Sequence, residues 1–234
     1  MADSVRGEHT IAVAFSGGLD SSVVARCAGR RVKVVACAGY THGSLDEAKA
    51  AEAAAALSVE LVKTELTKEG IEEALATMDL PFEPTLMDRG LWCLYSLVSK
   101  SAHDSGAGVM LLGQLADELF GGYAKYEQAL REGGDYAAAS MMSKDLREYS
   151  LRGRVRDVAA CGRWVEPRFP FEAREVVEFA ANIPVAFKIR DGVRKAVLRR
   201  AALLLGVPEG IAGAPKKAAQ YSSGVQKLLA GSHF

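Results

Sequence analysis

Residues 9–30 read HTIAVAFSGGLDSSVVARCAGR: a β-branched apolar run, two adjacent glycines, then a helix-like segment that stops at Gly29. A strand that turns directly into a helix must lie beside another strand and be covered on both faces, and the chain repeats the arrangement. "RVKVVACAG" (31–39) is a second strand, followed by the strong helix formers "LDEAKAAEAAAAL", with Ser44 and Glu47 at the spacing of a capping box. "VELVKTEL" (59–66) is a third strand and leads into a helix over 68–78. A longer helix over 85–103 precedes "VMLLG" (109–113), a fourth strand that runs into "QLADELFGGY". Such alternation predicts an α/β fold with a doubly wound parallel sheet.

From residue 124 onward strand signals disappear, and the spacing predicts helices over 124–132, 135–160, 172–182, 191–206 and 215–230. Residues 9–123 therefore read as a nucleotide-binding α/β core. Residues 124–234 read as a C-terminal helical layer that completes one structural domain. At 234 residues and 49% apolar content the chain can bury a substantial core. No stretch reaches the roughly 18 apolar residues of a membrane span, and "MADSVRGEHT" lacks the apolar segment of a signal peptide, so a cytoplasmic protein with no membrane partner is expected. Cys27, Cys37, Cys93 and Cys161 lie far apart, with no CxxC pair, and read as buried small residues. His42 and His103 have no metal-ligand spacing and read as structural.

The net charge of zero conceals a polarity. Residues 1–146 carry an excess of eight acidic groups, and residues 147–234 an equal excess of basic ones. A basic segment of this kind can close over an anionic ligand, be offered to nucleic acid, or form solvated helix faces.

At the carboxyl end of a parallel strand, a Gly-rich turn entering a helix leaves several backbone N–H groups aimed at one point, which suits phosphate. Gly17 and Gly18 allow close approach, Ser16, Ser21 and Ser22 add hydroxyls, and the helix dipole adds about 0.3–1 kcal/mol. The sequence has no G-x-x-x-x-G-K-[ST], and no G-x-G-x-x-G opens the first helix. Asp20 is repulsive beside phosphate unless a cation lies between them, so it reads as a magnesium ligand, with a helix-capping Asp as the alternative.

"SGGLDSS" after a strand resembles the signature of the PP-loop ATP pyrophosphatases, which cleave ATP between the α and β phosphates. The segment "GQLADELFGGY" (113–123) resembles that of the synthetase domain of class B asparagine synthetases, a group that includes β-lactam synthetases and lasso-peptide cyclases. "VEPRFPF" (165–171), "RKAVLRRA" (194–201) and "PKKAAQYSSGV" (215–225) are similar to further family segments in the same order. The resemblance implies a site built from Ser16, Gly17, Gly18, Leu19, Asp20, Ser21 and Ser22 for the phosphates, with Gly113 and Gln114 facing them. It places adenine near Ala38, Gly39 and Tyr40, where Tyr40 either stacks on the base or faces solvent. Asp20 and Asp117 would share one Mg2+ if the first and fourth strands are neighbours, and Glu118 would orient that site or cap the next turn. Lys195 matches the family's catalytic lysine, and Arg168, Lys216 or Lys217 would assist it. Glu166 is implied as a base or orienting group, with a salt bridge to a nearby arginine as the alternative.

The implied cofactors are ATP and Mg2+. A small-molecule carboxylate, aspartate as the first expectation, would attack the α phosphorus to give acyl-AMP and pyrophosphate, and ammonia or another amine would then take the acyl group. Two departures bear on this. The chain enters the synthetase segment at once, so glutamine hydrolysis is expected to need a separate glutaminase subunit, unless free ammonia or another amine serves. Gln114 stands where asparagine synthetases place a glutamate, and an amide cannot act as a base. Rival readings are a tRNA- or nucleotide-modifying pyrophosphatase and a non-catalytic ATP- or AMP-binding subunit. A pI near 6.9 speaks against nucleic acid as the partner.

Overall fold

The computed structural model describes residues 3–215 and 223–230. Its centre is a parallel five-stranded sheet of β1 (Thr10–Ala14), β2 (Lys33–Tyr40), β3 (Glu60–Glu65), β4 (Val109–Leu111) and β5 (Glu166–Arg168), in the order β3-β2-β1-β4-β5. Every pairing is parallel, as the strand-helix alternation requires. The chain moves outward from β1 to β3, then returns to place β4 on the other side of β1. Strand order therefore reverses between β1 and β4, and the crevice at their carboxyl ends is where open α/β sheets hold ligands.

The central strands carry apolar residues at successive positions because both faces are covered. Ile11, Val13, Val34, Ala36 and Ala38 face a layer of helices α1 (Leu19–Ala28), α2 (Leu45–Leu57), α8 (Arg174–Asn182), α10 (Ala196–Leu204) and α11 (Glu209–Ala212). Ala12, Val35, Cys37, Met110 and Leu112 face α3 (Lys68–Ala76), α4 (Leu86–Asp104), α7 (Arg154–Gly162) and a last helix, Val225–Ala230. A smaller cluster built on Tyr126, Met142, Val185 and Ile189 joins α6 (Ala124–Glu148) to α9 (Val185–Lys188). The short α5 (Ala116–Phe120) links β4 to this helical part. Among the described residues, no helix is long and apolar enough to cross a membrane.

Three local expectations are corrected. Strands do not end before residue 124: β5 extends the main sheet, and Ile189–Arg190 pairs antiparallel with Val193–Arg194. The β5 segment holds Pro167, and an edge position tolerates a residue without an amide proton, so its sequence gives little strand signal. The Ser44 hydroxyl makes no capping bond to α2, and Glu47 pairs with Lys63 at 3.8 Å instead. The capping box forms at α4, where Thr85 and Asp88 exchange side-chain bonds with each other's backbone amides. The helix expected over 135–160 is interrupted by a π-helical turn at Tyr149–Gly153, and Gly134, at φ 69°, kinks α6.

One close approach governs how α4 sits on the sheet. A Cβ at Gly39 would lie 2.5 Å from Leu94 Cδ1 and 2.8 Å from Val98 Cγ2, so the helix rests on bare backbone there. Gly39→Ala should cost about 1–3 kcal/mol through overpacking. Urea unfolding measures this, with an unshifted midpoint being the contrary outcome.

Candidate active site

The turn after β1 and the turn after β4 meet at the switch point. N-cap Gly18 opens α1, so Asp20 lies in the first turn, where its side chain is free of capping duty and reaches across the crevice. Gly17 sits at φ +66°, and a Cβ there would lie 2.5 Å from the Lys49 carbonyl oxygen, so the loop passes directly beneath α2. Ser16 and Ser21 knit the loop: Ser16 N–H donates to Ser21 Oγ at 3.4 Å, and Ser21 Oγ donates to the Gly18 carbonyl at 3.2 Å. The first-turn amides of α1 follow, without intrahelical acceptors.

On the opposite wall, Leu115 adopts a left-handed φ of 72° and starts α5, which carries Asp117 and Glu118 in its first turn. Gly113 lets the end of β4 approach α1, since a Cβ there would lie 3.2 Å from Asp20 Cβ. Lys195 joins the two walls. Its Nζ lies 2.6 Å from both oxygens of Asp20 and 2.8 Å from Asp117 Oδ1, with the residue only 2% exposed. Lys195 also holds a left-handed φ of 58° at the start of α10, an outlier conformation that sets its side chain inward. A Cβ at Gly122 would overlap the Asp117 carboxylate and the Lys195 stem, so only glycine fits behind the pair. Burial draws the Lys195 ammonium below its ordinary value, against the opposing pull of Asp20 and Glu118. Glu118 accepts a bond from Tyr123 Oη at 2.7 Å, and burial raises its carboxyl.

Ser16, Asp20, Ser21, Gly113, Asp117, Glu118 and Tyr123 line a cavity of about 540 Å³ whose far wall is a second polar group. Arg156 donates to Asp88 Oδ1 at 2.9 Å and to Asp157 Oδ1 at 2.8 Å, and Asp157 Oδ2 accepts from Gln114 Nε2 at 2.7 Å. Asp88 accepts from both the amide and the hydroxyl of Thr85. Burial alone would raise Asp88, but the bonds from Thr85 and Arg156 outweigh it and hold the carboxyl below its usual value. Burial likewise would lower Arg156, and Asp157 and Asp88 hold it above. Burial raises the Asp157 carboxyl against the pull of Arg156 and Gln114. The π turn brings Tyr149 to this wall; its ring fills the space a Gly153 Cβ would need.

The structure gathers Ser16, Asp20, Ser21, Gly113, Gln114, Asp117 and Glu118 around one cavity, with Lys195 buried behind Asp20 and Asp117 and bridging them. Other expected site residues lie elsewhere. Ser22 is fully buried, and Leu19 belongs to the core. Ala38 and Tyr40 do not line the cavity, because period-two alternation turns Cys37 and Gly39 toward it instead. Glu166 and Arg168 pair with each other at 2.7 Å on the edge strand, and Arg168 reaches Glu8 and the Ser4 carbonyl, so neither lines the cavity. The reason is the strand itself: residues two apart share one face of it, so the two side chains stand side by side and pair with each other. Lys216 and Lys217 lie outside the described residues. Sequence reasoning missed Thr85, Asp88, Tyr95, Tyr149, Arg156 and Asp157. Thr85-x-x-Asp88 before an apolar run was a readable cap signal, whereas the pairing of Arg156 with Asp88 depends on tertiary structure. Burial pushes the cavity-lining Cys37 thiol up to about 12, so it carries no thiolate at neutral pH.

No group of three or more His, Cys, Asp or Glu suited to a metal occurs among the described residues. Asp20 and Asp117 nonetheless converge on a single cationic point, the Lys195 ammonium. Two converging carboxylates fit the protein share of a Mg2+ site, which usually takes one or two carboxylates.

The buried network makes two testable demands. Arg156→Met leaves Asp157 without its cation and Asp88 with only Arg152, 3.6 Å away, and should destabilise the protein by about 3–5 kcal/mol in denaturant unfolding. Because the folded Asp88 carboxyl titrates below its unfolded value, its stabilisation is present above the unfolded value and lost as pH falls through the folded one. Asp88→Asn should therefore flatten the acid limb of stability against pH, below about pH 4.

The family model described as asparagine synthase matches residues 1–165 and 140–232. A Methanocaldococcus jannaschii protein, provisionally named glutamine-hydrolyzing asparagine synthetase 1, is 32% identical over 259 aligned residues, covering 96% of this chain and 48% of that protein. The mouse asparagine synthetase domain-containing protein 1 is 33% identical over 146 residues, 60% of this chain and 23% of its own length. The glutamine-hydrolyzing asparagine synthetase 1 of Lotus japonicus is 29% identical over 209 residues, 81% of this chain and 35% of its own. The chain thus spans about half or less of the length of these relatives. On the family match and the near full-length alignment together, the chain belongs to the asparagine synthase family.

Proposed function

We propose that the chain is an ATP-dependent amide ligase that forms AMP and pyrophosphate. The observation that carries this reading is the Lys195 ammonium held between Asp20 and Asp117 where the strand order reverses. In this reading the triphosphate lies over the loop Ser16–Ser22, whose first-turn amides have no intrahelical acceptors and can donate to phosphate oxygens. Adenine lies at the carboxyl end of β2 beside Gly39, with Leu94 and Val98 of α4 as an apolar wall. Asp20 and Asp117 would hold Mg2+, which when bound neutralises phosphate charge.

A substrate carboxylate oxygen then forms a bond to the α phosphorus as the bond to the β-phosphate bridging oxygen breaks, giving acyl-AMP and pyrophosphate. Such transfer depends on positioning and on neutralising charge that develops on the leaving group. Lys195 supplies that cation: it is buried, preorganised by its backbone conformation and already oriented by carboxylates. An amine next attacks the acyl carbon, the C–O bond to AMP breaks, and an amide is released. Aspartate as the acid and ammonia as the amine are the first candidates, supported by the names of the relatives. The far wall of Thr85, Asp88, Tyr95 and Gln114 offers hydrogen-bonding groups to the part of the acid remote from phosphate. A glutaminase acting from a separate chain or segment would supply ammonia where glutamine is the source, and the reaction needs no membrane. An intracellular, cytoplasmic setting with ATP and free amino acids suits it.

ATP–pyrophosphate exchange over a panel of carboxylic acids that begins with aspartate should detect turnover with at least one acid. ATP-binding protein that exchanges with none would overturn the ligase reading. Asp20→Asn and Asp117→Asn should each abolish exchange, and Lys195→Met should slow it about 100- to 1000-fold. Full exchange in any of the three would exclude that residue from the catalytic centre.

A further inference from the structure

Among the described residues, three cationic side chains line the cavity: Lys125, Arg152 and Arg156. Two of them are already engaged. Arg156 is buried and divided between Asp88 and Asp157. Arg152 donates to the Glu83 carbonyl at 3.0 Å, lies 3.6 Å from Asp88 and covers the Phe82 ring at 4.1 Å from its centroid. Lys125 differs. Its side chain is 51% exposed, yet its ammonium is pinned: Nζ lies 2.6 Å from Asp145 Oδ2, and 5.5 and 5.7 Å from the centroids of the Tyr123 and Tyr126 rings. Asp145 is itself fixed, because the fully buried Tyr126 donates its hydroxyl to the same oxygen. An ammonium has three N–H donors, and the contact with Asp145 uses one. The ring faces attract the charge without taking a hydrogen bond from it. Lys125 thus offers spare donors to the cavity from a position that three neighbours hold.

We propose that Lys125 is a specificity-determining residue that receives the second carboxylate of a dicarboxylic acid, the acid whose other carboxylate is activated. The inference rests on the ligase reading above, in which adenine takes the end of β2 and the triphosphate takes the turn after β1. The wall that α6 supplies is then left to the acid. A lysine free in solvent gives up side-chain freedom when it binds an anion, and Lys125 has given up much of it beforehand. Its neighbours on that wall are acidic. Without Lys125, the carboxyl groups of Glu118, Asp145 and Glu148 remain there and would repel an anion, so one side chain sets the sign of the charge that the acid meets.

The test compares acids that differ by that one carboxylate: aspartate with β-alanine, glutamate with 4-aminobutyrate, and succinate with propionate. The last pair has no ammonium and isolates the carboxylate. In pyrophosphate exchange the KM of the monoacid should exceed that of the diacid about 10- to 100-fold in wild-type protein, the equivalent of one charge-assisted hydrogen bond. Lys125→Met should raise the diacid KM until the two lie within about threefold, with no matching rise in KM for ATP. Lys125→Arg keeps the charge and should keep most of the preference for the diacid. Binding of the same pairs to AMP-loaded protein, followed by ligand-observed NMR, gives the ratio without turnover.

A ratio near one in wild-type protein, or a ratio that Lys125→Met leaves unchanged, would overturn the proposal. So would a KM for ATP that rises in step with that of the diacid, since the ammonium would then serve phosphate. Failure of the ligase reading has a different signature, namely wild-type protein that binds ATP and exchanges pyrophosphate with no acid. In that event the NMR ratio still decides whether Lys125 reads a second carboxylate.

Discussion

The Lys195 ammonium between Asp20 and Asp117 ties together three segments that are far apart in the chain: the turn after β1, the turn after β4 and the start of α10. Each segment serves the contact at a local cost. Leu115 and Lys195 adopt left-handed backbone conformations that non-glycine residues avoid, and Gly122 gives up its side chain to make room. Taking an ammonium out of water is unfavourable on its own. Two carboxylates at hydrogen-bond distance offset part of that cost, and the result is an amino group fixed in place before any ligand arrives. A charge already oriented needs no reorganisation when negative charge develops beside it, which is the property an electrostatic catalyst requires.

The far wall follows the same logic with opposite composition. Arg156 is the buried cation, and Asp88 and Asp157 are its partners. Here the partners are themselves engaged, Asp88 by the Thr85 cap and Asp157 by Gln114, so the donors and acceptors of one side chain set the orientation of the next. The cavity thus lies between two charge clusters. One is organised around a lysine beside the Gly-Ser turn after β1 and the other around an arginine beside Gln114. A ligand with an anionic end and a hydrogen-bonding end matches that arrangement.

Most of the sheet is legible in the sequence because it rests on local signals. Apolar strands punctuated by glycine, and helix formers between them, determine the number and sense of the first four strands, and the glycine-serine turn locates the crevice. Legibility ends where structure comes from distant partners. Glu166, Pro167 and Arg168 form a strand because β4 offers them an edge, not because their own composition favours one. Glu166 and Arg168 consequently turn to each other and away from the cavity. Ala38 and Tyr40 stand one residue out of phase with the positions that face it, and in a strand a single step changes the face. Asp157 gives no signal of its own, since nothing in "RVRDVAAC" shows that a carboxylate there will be sealed against Gln114. The Lys195 position, by contrast, is readable only through its resemblance to a family segment; its spacing in the sequence gives no hint that it lies beside residues 20 and 117.

The π turn at Tyr149–Gly153 admits one extra residue into a helical path that otherwise runs from α6 into α7. That single residue sets the rotational phase of everything after it, since each α-helical residue advances the side-chain direction by about 100°. Removal of a residue from this turn would restore regular winding while swinging Arg156 and Asp157 off the face that meets α4. The composition of the far wall is therefore tied to the winding of five residues, while the sheet and the Gly-Ser turn after β1 do not depend on it.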